Sequence, residues 1–217
     1  LVTLMLDEVR FSTGKGSIFG MAAGPPGGPL LLGLHGWSQR NGWHTWRPLM
    51  APLAQAGYRV ISIDMPGWGQ SDAWGNGPLN EVDAQAAVLA VLDGVGSSRA
   101  TLMGKSWGGG IAIVTALAHP DRIGHLVLTA PAFREPARLG ELQQPILLAW
   151  AEDDPVIPYQ VAAFFVESAP RVELVTYPTG GHSAGPNNAE DFAARVITFL
   201  GSTGAILDGD GAYQAGE

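Results

Sequence analysis

The stretch Ala100-Thr101-Leu102-Met103-Gly104-Lys105-Ser106-Trp107-Gly108-Gly109-Gly110-Ile111-Ala112-Ile113-Val114 decides the fold. An apolar run of strand character enters a short turn, and an apolar run of helical character leaves it. A strand that turns at once into a helix strains the central residue of the turn. The residues two before and two after it crowd together. Glycine at 104 and at 108 removes that clash. The Ser106 hydroxyl is then expected to stand alone at the top of a sheet, facing a helix N-terminus. A serine held this way is a candidate nucleophile, and it needs a base, an acid to orient the base, and donors for an oxyanion.

Working outward, buried strands are expected over Leu30–Leu34, Arg59–Ile63, Thr101–Met103, His125–Thr129, Ile146–Trp150 and Val172–Tyr177. Helices are expected over Trp46–Ala56, Leu79–Leu92, from the turn to about Ala118, over Val156–Ser168 and over Ala189–Leu200. Val2–Phe11 and Ser17–Ala22 flank Thr13-Gly14-Lys15-Gly16 and read as a hairpin. The alternation predicts an α/β fold: a mostly parallel, doubly wound sheet with an antiparallel start. Ligands of such sheets sit outside the carboxyl ends of the strands. One domain is expected over residues 1–200, followed by a flexible Gly-rich tail over 201–217.

Composition narrows the function. Hydrophobic residues make up 46% of the 217 and charged residues 15%, a globular balance. Lys+Arg of 12 against Asp+Glu of 20 gives a net charge of −8, which argues against a nucleic-acid partner. No apolar run is long enough to span a membrane, and Leu1–Phe11 lacks a signal pattern, so a cytoplasmic location is expected. Leu1 stands where a start Met would, and upstream residues are to be expected. There is no cysteine, hence no disulfide, thiolate nucleophile or Cys-based zinc site.

Five ordered blocks carry a resemblance. They are Leu34-His35-Gly36-Trp37, Asp64-Met65-Pro66-Gly67-Trp68-Gly69-Gln70-Ser71, the turn at 104–108, Asp154-Pro155-Val156-Ile157-Pro158 and Gly180-Gly181-His182-Ser183. Over roughly Leu30–Leu200 the chain resembles an α/β-hydrolase, which implies a three-layer fold and a Ser-His-Asp triad. The family's order places the base after the acid. Of the five histidines only His182 follows Asp154, in a glycine-flanked loop where the chain can bend back over the sheet. His35 reads as a hydrogen-bonding support of the oxyanion loop. His44 lies in a Trp-rich loop, His119 at a helix C-terminus and His125 at a strand start.

The acid comes from Glu152, Asp153 or Asp154. The family pattern, an acid directly before a Pro-x-x-Pro step, selects Asp154 with Asp153 as the fallback. Backbone N–H groups are expected to hold the oxyanion: that of Trp107, at its helix N-terminus, and that of Trp37, in the loop after the first parallel strand. Gln39 or Arg40 could add a side-chain contact. Asp64 and Ser71 read as loop-fixing residues. Gly104-Lys105-Ser106 imitates the end of a phosphate-binding loop, but the glycine required five residues before Gly104 is Arg99. No spacing suggests a metal, and no cofactor is implied.

Many α/β-hydrolases carry a helical cap between the strands expected near Thr129 and Ile146. Only Ala130–Gln144 lies there, so no cap domain and an open site are expected. Trp37, Trp68, Trp107 and Phe133 are the expected substrate-binding residues, an apolar acyl pocket, with packing into the core beneath the loops the alternative for Trp68 and Trp107. The resemblance implies a serine hydrolase, carboxylesterase-like, acting on small to medium acyl esters as small-molecule substrates. The same triad also serves thioesters, amides, lactones and cofactor-free perhydrolysis. A non-catalytic ligand-binding protein on the same scaffold is the reading from another class.

Overall fold

The computed structural model describes residues 6–204. The chain opens with β1 (Asp7–Thr13) and β2 (Gly16–Ala23), antiparallel with Thr13 opposite Gly16. The Thr13 hydroxyl donates to Gly16 O at 2.6 Å and accepts from Lys15 N at 3.1 Å, which closes the hairpin. Six parallel strands follow: β3 (Leu30–Leu34), β4 (Arg59–Ile63), β5 (Ala100–Lys105), β6 (Ile123–Thr129), β7 (Ile146–Ala151) and β8 (Val172–Tyr177). The sheet order is β1-β2-β4-β3-β5-β6-β7-β8, with β2 antiparallel to β4.

Helices cover both faces. They are α1 (Arg47–Gln55), α2 (Glu81–Val95), α3 (Trp107–Ala118), α4 (Ala162–Ser168), α5 (Ala184–Asn187) and α6 (Ala189–Thr203). Leu32, Leu102, Leu126 and Leu148 pack under Val88 of α2, Ile111 of α3 and Phe165 of α4. Leu31, Met103, Val127 and Leu147 pack under Leu53 of α1 and Val196 of α6. Two apolar layers explain why β3, β6 and β7 are buried along their whole length, with no polar alternation.

Two expectations need correction. The helix expected over Val156–Ser168 begins only at Ala162. Asp154 Oδ1 accepts from the N–H groups of Val156 and Ile157 at 2.8 and 3.0 Å, and Pro158 is extended at ψ 140°, so the chain turns helical only after Pro158, first as a 3-10 turn over Tyr159–Val161. Residues 201–203, expected in the tail, instead continue α6, and the Thr203 hydroxyl donates to Phe199 O at 2.6 Å. The rest of the expected tail, from residue 205, and the first four residues of the expected hairpin, 2–5, lie outside the described residues.

Between β6 and β7 the chain holds one 3-10 turn, Pro136–Glu141, and no cap domain. Among the described residues no helix is long and apolar enough to cross a membrane.

Candidate active site

Ser106 sits between β5 and α3 with φ 52° and ψ −120°. Such a conformation costs about 1–3 kcal/mol in a residue with a side chain, so its surroundings must enforce it. Ser106 N–H donates to Thr129 O at 3.0 Å, and Ser106 O accepts from Gly110 N at 3.1 Å and Ala132 N at 2.9 Å. A Cβ on Gly104 would stand 2.6 Å from Gly109 Cα, and one on Gly108 would stand 2.4 Å from His35 O. The strand and helix can meet this closely only because both positions lack a side chain. Ala130 is the other residue with a side chain and a positive φ, 40°, among the described residues. It opens the segment that packs across the glycines of α3: a Cβ on Gly110 would stand 2.2 Å from Ala132 O.

The ends of β7 and β8 bring Asp154 and His182 together. His182 Nδ1 donates to Asp154 Oδ2 at 2.9 Å and lies 3.2 Å from Oδ1. The Asp154 side chain is fully buried. With the proton on Nδ1, the other ring nitrogen carries a lone pair. That Nε2 is buried and has no hydrogen-bond partner among the described residues. A buried acceptor left unpaired is costly, and such atoms mark positions kept for another purpose. Asp153 has a different job: its Oδ1 accepts from Gly181 N at 2.8 Å, which shapes the turn that carries His182. The loop continues over the end of β6, where a Cβ on Gly185 would stand 2.7 Å from Thr129 Oγ1. Thr129 is also the residue whose carbonyl holds Ser106.

On the opposite side of Ser106 lies the loop after β3. A Cβ on Gly36 would stand 3.6 Å from Ser106 Cβ, so Trp37 follows directly beside the nucleophile. Trp107 opens α3, and its N–H is one of those a helix start leaves unpaired. His35 fixes this loop. Met65 N–H donates to His35 Nε2 at 3.0 Å, so the ring proton is on Nδ1 and is given to Gly36 O at 2.7 Å. Burial pushes the His35 pKa down, which keeps it neutral. Asp64 accepts from Trp43 N at 2.7 Å and Gln70 N at 2.9 Å, and its carbonyl accepts from the Ser71 hydroxyl at 2.5 Å. The bonds to Gln70 and between Ser71 and Asp64 are local, as their spacing suggests, while Trp43 N and Phe19 N, which donates to Ser71 Oγ at 2.8 Å, tie the loop to the rest of the fold.

Three indoles form one cluster. Trp37 meets Trp68 and Trp107 edge-on, each with ring centres 5.1 Å apart, and Trp68 stacks on Trp107 at 5.2 Å and 24°. Trp37 is 47% exposed and Trp68 only 3%. A cavity of about 540 Å³ opens on Ser106, bordered by Trp37, Trp107, Ile111 and Phe133. Trp68 does not border it. It lies underneath, with its indole N–H donating to Trp37 O at 3.2 Å and Ser38 O at 3.3 Å, because a buried indole must place its donor. Gln39 borders a second cavity of about 340 Å³ across Trp37, and neither Gln39 nor Arg40 borders the first.

The sequence reading missed Glu81, Ile111, Arg134 and Glu135, which also line the Ser106 cavity. Glu81 comes from the start of α2, and only the strand order brings it beside the segment after β6. Among the described residues no three His, Asp or Glu side chains gather in a way that could hold a metal ion.

Known proteins share this architecture. A 2-hydroxy-6-oxononadienedioate/2-hydroxy-6-oxononatrienedioate hydrolase of Cupriavidus pinatubonensis is 26% identical, with 81% of this chain and 88% of the relative covered. Epoxide hydrolase B of Mycobacterium tuberculosis is 36% identical over a shorter stretch, 51% of this chain and 31% of the relative. The crystal structure of a predicted CIB-like hydrolase from Thermoplasma acidophilum superposes with a TM-score of 0.83 at 24% identity, covering 91% of this chain and 99% of the other. The family model for the alpha/beta hydrolase fold matches residues 29–139, and the chain belongs to the α/β-hydrolase family.

Proposed function

We propose that the protein is a serine hydrolase of carboxylic esters with small to medium, uncharged acyl groups. The observation that carries this reading is His182. Its Nδ1 is engaged by Asp154, while its Nε2 is buried without a partner among the described residues, in a segment that reaches Thr129, whose carbonyl holds the strained Ser106. Ser106 Oγ attacks the acyl carbonyl as Nε2 takes its proton, and Asp154 stabilises the imidazolium that forms. The N–H groups of Trp37 and Trp107 hold the oxyanion, each worth about 10²–10³ in turnover. Collapse expels the alcohol with the proton from His182. Water then attacks the acyl-enzyme along the same path, and the carboxylic acid leaves. Residues 1–200 work as one domain in this reading.

The lining of the cavity supports an uncharged acyl group. Trp37, Trp107, Ile111 and Phe133 offer apolar surface, and Glu81, Arg134 and Glu135 leave an excess of negative charge. A second reading follows from the Cupriavidus relative, whose name specifies a dioate. Two substrate carboxylates would meet two glutamates and a single arginine here, which favours the neutral ester.

The test is a chain-length series of p-nitrophenyl esters and a fluorophosphonate probe, on wild type and Ser106→Ala. Hydrolysis and labelling by wild type, both lost in Ser106→Ala, are expected. A wild type that neither hydrolyses the esters nor takes the label overturns the reading.

A further inference from the structure

Lys105 directly precedes Ser106, and nothing above gives it a role. Side chains alternate across a strand, so Lys105 shares a sheet face with Met103 of β5. Met103 belongs to the core layer that contains Ala184, two residues after His182. On β6 the same face carries Val127 and Thr129, and Thr129 lies opposite Lys105 in the register. Thr129 Oγ1 touches the underside of the His182 loop and is buried without a hydrogen-bond partner. On β3 the same alternation runs from Leu31 to His35. Lys105, half-buried, therefore lies on the sheet face that leads to His35 on one side and to Thr129, under the His182 loop, on the other. It makes no hydrogen bond or close ion pair among the described residues. Burial lowers its pKa and the Asp154 charge raises it. A desolvated ammonium with no direct partner is costly to keep, and an unpaired one on the nucleophile's own turn calls for a reason.

We propose that Lys105 is a positioning residue for the Asp154–His182 pair: its ammonium supplies a fixed positive charge beneath the His182 loop that favours the Asp154 carboxylate and opposes an imidazolium. This rests on the serine-hydrolase reading. The groups that face the cluster are consistent with it. His35 is neutral and spent on Gly36 and Met65, with Asp64 and His44 beyond it. Asp153 is spent on Gly181 N. Lys105 is the cation among them, and in the dry layer beneath the loop its field is poorly screened. Removing it takes away that opposition, and an imidazolium cannot take the proton of Ser106.

The experiment is the rate of fluorophosphonate labelling of Ser106 between pH 5 and pH 8. In Lys105→Met the acid limb moves to higher pH by about half a unit or more, a three- to tenfold loss near pH 5.5, while the plateau at pH 8 stays within about twofold. Lys105→Arg superposes on wild type. The chain has no cysteine, so Lys105→Cys can be alkylated at one site. The 2-aminoethyl adduct restores the wild-type limb and the neutral carbamidomethyl adduct does not. These two adducts differ in little but charge, so they separate charge from packing. Coincident limbs for Lys105→Met and wild type, a uniform loss at every pH, or one shared limb for the two adducts overturns the proposal. Absence of wild-type labelling at every pH overturns the serine-hydrolase reading itself, and this proposal with it.

Discussion

Asp154 holds His182 with one carboxylate oxygen and the main chain with the other. Oδ2 takes the imidazole Nδ1–H at 2.9 Å, and Oδ1 takes the N–H groups of Val156 and Ile157. The two duties separate in Asp154→Asn. The amide oxygen can still serve Val156 and Ile157, but the NH₂ group then faces Nδ1 and favours the tautomer with its proton on Nε2. Turnover of p-nitrophenyl butyrate is expected to fall about 10³–10⁴-fold with little change in melting temperature. In Asp153→Asn, where only the contact to Gly181 is touched, activity stays within about tenfold.

Trp68 acts through its tether to the Trp37 backbone. Trp68→Phe keeps an aromatic ring on Trp107 and removes the N–H bonds to Trp37 O and Ser38 O. A loss of about 1–2 kcal/mol in stability is expected, with a fall in kcat of roughly three- to tenfold and a smaller change in KM. Steady-state kinetics and urea unfolding together check this, and a change confined to KM counts against it.

Gly110 lies where α3 meets the segment after β6, with no room for a methyl group beside Ala132 O. Gly110→Ala would raise helix propensity on an exposed helix, but here it forces the segment away from the Ser106 carbonyl. It is expected to destabilise by about 1–3 kcal/mol and to reduce fluorophosphonate labelling. A variant more stable than wild type in thermal unfolding contradicts this.

His125 makes stability depend on acid. Burial is the main cause that lowers its pKa from 6.5 to about 4, and its Nδ1 has no partner among the described residues. The folded state therefore resists the charged form that the unfolded chain accepts. Above pH 6.5 both states hold it neutral and it has no effect. Stability falls as pH drops from about 6.5 to about 4, by up to about 3 kcal/mol, and levels off below. His125→Leu should lose this part of the pH dependence, read as the difference in urea midpoints at pH 7 and pH 5. Parallel midpoints for the two proteins count against it.

Much of this molecule is legible from one dimension, for reasons that differ by region. Arg59–Ile63 and Val172–Tyr177 are strands at their expected boundaries, because turn-forming residues bracket each run. Ser106 stands out because a strand end is where a polar residue interrupts a buried run, whereas Asp154 is separated from Glu152 and Asp153, and His182 from the other histidines, only by the pattern and order of the family the chain resembles. The segment from Val156 misled the helical reading, since its first N–H groups are taken by a side chain and not by a turn of helix. The depth of Trp68 was hidden too. A loop has no periodicity, so nothing local separates a tryptophan that faces a cavity from one that supports it. Glu81 and Arg134 escaped for a third reason: they are neighbours only through the order of strands, which no local pattern encodes.

The exposed ring of Trp37 beside Ser106 gives the molecule its own optical gauge. It is a half-wetted fluorophore at the mouth of the cavity, while its partner Trp68 is dry. A guest that settles against Trp37 strips water from that ring and from Trp107 beside it, and their emission moves to shorter wavelength. Occupancy can thus be followed in real time on the unlabelled protein, with compounds that carry no chromophore and undergo no reaction.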